Sequence, residues 1–203
     1  MNRYGANGLG YKTETAGTEI IHTIPPSKEG VGQITSLSYT DGGTAHTIYV
    51  MREFGRTITA AAAVGGATTF TGLTDASPTG FVANGFATIQ LDKGVHTSKI
   101  TSWTSASGTL ILDKGIPSGS TAAAGNKVWN HGNLTQADPQ TGVTHPVFKT
   151  PGNASVPLTL PAVAGLEALI GGLLDESPIA VVSDNATTAG KFNSLTYQHA
   201  RPS

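Results

Sequence analysis

From Val31 the pattern of the chain changes. In GQITSLSYTDGGTAHTIYVMREF, Ile34, Leu37 and Tyr39 stand before Asp41-Gly42-Gly43, and after it Ile48 and Val50 alternate with Thr47, Tyr49 and Met51. Apolar residues at every second position mark a strand with one buried face. A glycine pair behind an aspartate supplies the backbone freedom that a tight reversal needs, so the stretch predicts strand, turn, strand as a hairpin. The next segment, TITAAAAVGGATTFTGLTDASPTGFVANG, alternates weakly. Its glycines and Pro78 predict short strands and a long surface loop, because Gly65 and Gly66 would end any helix that the four alanines began.

The stretch QLDKGVHTSKITSWTSASGTLILDKG, residues 90–115, contains LDKG twice. Residues 87–91, 95–104 and 109–112 alternate, with DKG and then SASG between them, and so predict a three-stranded meander. Asp and Gly at such reversals follow from turn geometry. A phosphate cradle would need a helix after the glycine loop, and no helical periodicity follows either copy. Residues 127–129 (KVW) read as a short edge strand. Pro139, Pro146, Pro151 and Pro157 make residues 133–161 a connecting region. Residues 162–174, AVAGLEALIGGLL, form the one candidate helix, with Leu166, Leu169, Ile170, Leu173 and Leu174 at spacings of three and four, against which Gly165, Gly171 and Gly172 count. Residues 179–182 and 192–197 read as strands.

The first nineteen residues are polar, glycine-rich and aperiodic. They read either as a frayed end or as an extended arm that orders on a neighbouring subunit. On the second reading Tyr4, Tyr11, Ile20 and Ile21 are its partner-contacting anchors, and deletion of residues 1–24 is expected to weaken binding to that neighbour and leave the domain folded. The sequence thus divides into an arm (1–24), a β domain (25–132), and a proline-rich connection with a candidate short helix and C-terminal strands (133–203). The expected fold class is all-β, a barrel or sandwich built on hairpins and a meander.

Composition agrees with strands. Thr occurs 29 times, and this β-branched residue suits a pleated, half-exposed surface. Charged residues make up 12% of the chain and the net charge is -1, with no Lys/Arg cluster. Nucleic acid, which needs several phosphates neutralised together, is therefore not an expected partner. The absence of cysteine excludes disulfides and thiolate metal sites. No signal-peptide or membrane-spanning run is apparent, so the expectation is a soluble protein made in a cytoplasm, with no membrane partner.

The search for chemistry returns little that converges. The six histidines (His22, His46, His96, His131, His145, His199) stand singly, with no two at a ligand-pair spacing, and no metal site is expected. The seven aspartates are too dispersed for a calcium loop. There is no G-x-S-x-G elbow. Carboxylates distant in sequence can meet in space, so an acid/base pair stays open. Asp41, Asp92 and Asp113 are the candidates, and each sits in a predicted turn that explains it. Acceptor triplets for glycosylation at Asn133, Asn153 and Asn185 are no more than this Ser/Thr-rich composition produces by chance. No catalytic residue, cofactor or small-molecule substrate is expected.

Three stretches, ITSLSYTDGGTAHTIYVMREFGRT, NGFATIQLDKGVHTSKITSWTSASGTLILDKGIPSGSTAAAGNKVW and LLDESPIAVVSDNATTAGKFNSLTY, together resemble the capsid-decorating, or cement, proteins of tailed bacteriophages. The resemblance spans most of residues 30–198, and residues 162–174 have no counterpart in it. It implies an all-β subunit, a dimer or trimer, that sits on the outer face of a virion capsid and bridges neighbouring major capsid protein subunits. The alternatives are a tail fibre or baseplate module that binds a partner or host receptor, and an enzyme such as a glycan hydrolase, which would need two carboxylates at a set separation.

Overall fold

The computed structural model describes residues 4–6, 12–13, 16–26, 31–59, 61–78, 80–138, 142–152, 158–161 and 177–199. The protein is all-β with antiparallel sheets. Among the described residues the only helical turn is the 3-10 turn Ser105–Ser107. The candidate helix at 162–174 lies outside the described residues. Two compact units are built from non-contiguous chain: residues 1–50 with 146–203, and residues 51–145. These boundaries fall elsewhere than those read from composition, because strands near both chain ends pair with each other.

The first unit is a sandwich. One sheet runs β1 (Tyr4–Ala6), β18 (Lys191–His199), β4 (Val31–Thr40), β16 (Leu158–Pro161), with β2 (Lys12–Thr13) also on β18. The other runs β15 (Val147–Lys149), β5 (Thr47–Met51), β17 (Ile179–Asn185), β3 (Gly17–Ile24). Residues of both sheets meet in one core: Leu37 and Tyr39 of β4 and Phe192 and Leu195 of β18 from the first, Ile48 of β5 and Val181 of β17 from the second. Two sheets whose apolar faces cover each other satisfy the requirement that each bury one side.

Two expectations change here. The DGG turn joins strands that do not pair with each other: β4 bonds to β18 and β16, and β5 lies between β15 and β17 in the opposite sheet. The turn is an arch from one sheet to the other, and the faces predicted as buried are buried because they look into the space between the sheets. A hairpin and an arch present the same alternation and the same turn residues, which is why the pattern did not separate them. The expected projecting arm is also different where it is described. Residues 17–24 are β3, paired along its length with β17, with Ile21 and Ile24 in the core of their own unit. The pairing Val181↔His22 followed by Val182↔Ile20 makes Ile21 the extra residue of a β-bulge.

The second unit carries a sheet ordered β8 (Thr69–Phe70), β12 (Thr109–Leu112), β11 (Gly94–Thr104), β10 (Phe86–Leu91), β14 (Lys127–Gly132), β6 (Gly55–Ile58), β9 (Ser77–Pro78), with a two-stranded ribbon of β13 (Thr121–Ala122) and β7 (Ala63–Val64). The meander β10–β11–β12 stands as the alternation predicted, reversing at Asp92-Lys93 and at the 3-10 turn closed by Gly108 in the left-handed region, φ 59°. Leu91, Ile89, Ile100, Leu110 and Val128 fill its core. Residues 127–129, read as an edge strand, begin β14, which is interior to the sheet with β10 on one side and β6 on the other. Trp129 is fully buried there, and a run of three residues gave too little length to reveal its two neighbours.

Candidate functional site

In the first unit the arches 41–46 and 186–190 both cross between the two sheets, and the polar residues of their roots meet in the core. Tyr39 Oη lies 3.0 Å from His46 Nδ1 and 2.8 Å from Ser183 Oγ, and Ser183 Oγ lies 2.9 Å from the same His46 nitrogen. All three residues are 1% exposed. Burial lowers the His46 pKa, against the opposing pull of Asp41 and Asp184, so the ring is neutral at pH 7. Its Nε2 is buried without a hydrogen-bond partner.

The surroundings hold the trio rigidly. Asp41, fully buried, accepts from Gly43 N at 3.1 Å through one oxygen and from Gly152 N at 2.7 Å through the other. His46 N donates to Thr150 Oγ1, and Thr150 N donates to His46 O. Asn185 donates to Ala45 O and accepts from the backbone N–H groups of Thr187 and Thr188. Gly190 packs so closely on Tyr39 Oη that no β-carbon fits between them. A serine hydroxyl beside a neutral imidazole is the pairing that nucleophilic catalysis uses. Here the same atoms tie the strands of opposite sheets, and a reacting group would have to enter a packed core to reach them.

The second unit has its own buried histidine pair. The register step from Phe86↔Gly132 to Ala87↔Asn130 makes His131 a bulged residue of β14. The bulge aims His131 Nε2 at Thr88 Oγ1, 2.8 Å away, and leaves His131 O to accept from His145 Nε2 at 2.7 Å. The His145 ring stacks on Phe54 with centroids 4.2 Å apart. Burial brings His131 down to about 4 and His145 to about 3; for His145 the hydrogen bond to His131 O opposes the shift, and the charges of His131 and Arg52 add to it. Arg52 reaches Asp138 at 3.8 Å, and Arg56 makes a two-pronged pair with Glu53 at 2.6 and 2.8 Å.

The two LDKG turns come to the same end of the second unit. Asp92 Oδ1 accepts from Thr121 N at 2.8 Å, Asp92 N donates to Thr121 O, and Lys93 Nζ donates to Gly119 O, so the first turn clamps the loop that follows the second. His96 Nε2 lies 2.9 Å from Lys114 O, and Lys114 N donates to Ser98 Oγ. Both copies serve as turns. Asp41 is buried in the first unit, and Asp92 and Asp113 are exposed in the second. Among the described residues no three His, Asp or Glu side chains converge as metal ligands.

Of the four anchors read from the sequence, Tyr4 lies in β1, opposite Gln198 of β18. Tyr11 is outside the described residues. Ile20 is half-buried and Ile21 is buried in its own core. The buried trio was not foreseen. His46 and Ser183 are 137 residues apart, and no local pattern links them.

No family model matches the chain, and no curated protein matches it. Among solved structures it is similar to VP17, a capsid protein of bacteriophage P23-77, over 100% of this chain and 97% of that one, at 10% identity and a TM-score of 0.21. A likeness of that size carries no inference about fold or role.

Proposed function

We propose that the chain is a structural protein of a phage virion, one that binds the outer surface of the capsid and bridges neighbouring major capsid protein subunits as a homo-oligomer. The observation that carries this reading is the burial of the Tyr39–His46–Ser183 trio, 1% exposed at every member and bonded across two sheets. This pairing of a hydroxyl with an imidazole, like that of Thr88 with His131 in the second unit, is buried among strands that it ties together, which favours a protein that acts through its surface. The resemblance of residues 30–198 to capsid-decorating proteins names the surface it would act on. A net charge of -1 lets many copies pack on a shell without mutual repulsion. Weak contacts repeated around a closed symmetric particle then add up.

The test is stoichiometry on purified particles. A decorating protein is recovered with DNA-filled heads at on the order of hundreds of copies each, and added back to stripped heads it sediments with them and raises their resistance to heat. Recovery only with tails, at a handful of copies, would assign it to a fibre or baseplate. Failure to bind any particle would remove the virion from the account.

A further inference from the structure

Asn84 is the one non-glycine residue at positive φ among the described residues, at 61°, and Gly85 follows it. The turn selects that pair. Asn tolerates the left-handed region better than other side chains, and Gly85 has Gly132 O and Val82 O crowding the place where a β-carbon would stand. The same pair is chemically the most reactive dipeptide of its kind. With no side chain on the following residue, its backbone nitrogen can reach the asparagine carboxamide.

We propose that Asn84-Gly85 is a latent deamidation site that the fold holds shut, opened only by local release of the turn. In the reaction Gly85 N bonds to Asn84 Cγ and the Cγ–Nδ2 bond breaks. Nδ2 leaves as ammonia, taking up the proton that Gly85 N loses. Water then opens the resulting succinimide at either carbonyl, giving an aspartyl or an isoaspartyl linkage. Three hydrogen bonds oppose the first step. Gly85 N donates to Val82 O at 3.1 Å, Asn84 N donates to Ile100 O at 2.9 Å, and Ile100 N donates to Gly85 O at 2.8 Å. The attacking nitrogen is occupied, and the peptide groups on both sides of it are pinned to β11, so it cannot swing toward the exposed Asn84 side chain. An isoaspartyl product inserts an extra backbone atom between the two groups that bond Ile100. The turn cannot close again around it, so each event is irreversible for the molecule in which it occurs.

The experiment uses the full chain at mildly alkaline pH and 37 °C, folded in one arm and unfolded in urea in the other. Tryptic residues 57–93 contain Asn84 as their sole asparagine, and residues 4–12 contain Asn7-Gly8, the other such pair in the sequence, as an internal clock. Conversion is read as the mass gain of amide to acid, with isoaspartyl methyltransferase labelling to identify the rearranged product. Asn84 is expected to react at least about tenfold more slowly in the folded chain than in urea, and urea below the unfolding transition is expected to speed it in step with hydrogen exchange at Gly85. Equal rates in the two arms would overturn the claim that the fold shuts the site, and no reaction in urea would overturn the claim that the site is reactive at all.

Discussion

Tyr39 Oη and Ser183 Oγ lie 2.8 Å apart in the sandwich core, although 144 residues separate them and their strands belong to opposite sheets. Each hydroxyl also faces His46 Nδ1, so three polar groups that would be costly to bury alone satisfy one another. Removing one should strand the others. Ser183→Ala is expected to cost about 1–3 kcal/mol in urea denaturation, and a cycle with Tyr39→Phe should show coupling between the two. Additive losses would mean that the hydroxyls do not act as a unit.

Gly190 offers a sharper probe. A methyl group there would overlap Tyr39 Oη, so Gly190→Ala is expected to destabilise the first unit by about 1–3 kcal/mol or more. Adding Tyr39→Phe, which deletes the overlapped oxygen, should restore part of that loss. A double variant no better than the single one would place the strain elsewhere.

The aspartates once considered for chemistry should separate by structural duty. Asp41→Asn replaces one of two oxygens that each accept a backbone N–H in a fully buried site, and is expected to lower stability by about 1–3 kcal/mol. Asp113→Asn, on an exposed side chain, should leave the unfolding midpoint within error. If both variants unfold alike, the anchoring role of Asp41 is wrong.

Acid should loosen the second unit. His131 and His145 have pKa values of about 4 and about 3 when folded, below the 6.5 of an unfolded histidine. The unfolded chain therefore binds more protons, and stability that is fully present above pH 6.5 falls as pH drops through 6.5 toward 3–4, by roughly 7 kcal/mol in total. His131→Gln with His145→Gln should flatten that slope. An unchanged slope would exclude these rings as its source.

Deletion of residues 1–24 is now expected to unfold the first unit, since β3 contributes Ile21 and Ile24 to its core. A contact of this segment with a capsid neighbour is better tested by Tyr4→Ala and Tyr11→Ala, read first by circular dichroism and then by sedimentation with heads. A well-folded deletion variant would contradict the core role of β3.

Strand existence and strand faces were legible in the sequence. Alternation in Leu37–Tyr39, Ile48–Val50 and the meander follows from the two-residue period of the pleat, a local property that any half-buried strand must display. Turn positions were legible for the same reason: Gly42, Gly94 and Gly108 answer to the positive φ values that their turns require. Partner choice was not. Whether β4 bonds β5 or β18, whether Lys127–Trp129 is edge or centre, and whether residues 17–24 project or pair depend on which distant segment supplies the complementary edge. The hydroxyl and imidazole cluster of Tyr39, His46 and Ser183 belongs to that second class, because its members come into bonding distance only when two arches cross the same sandwich. Local periodicity encodes the direction in which each side chain points, and only the closing of the sheets decides what it meets there.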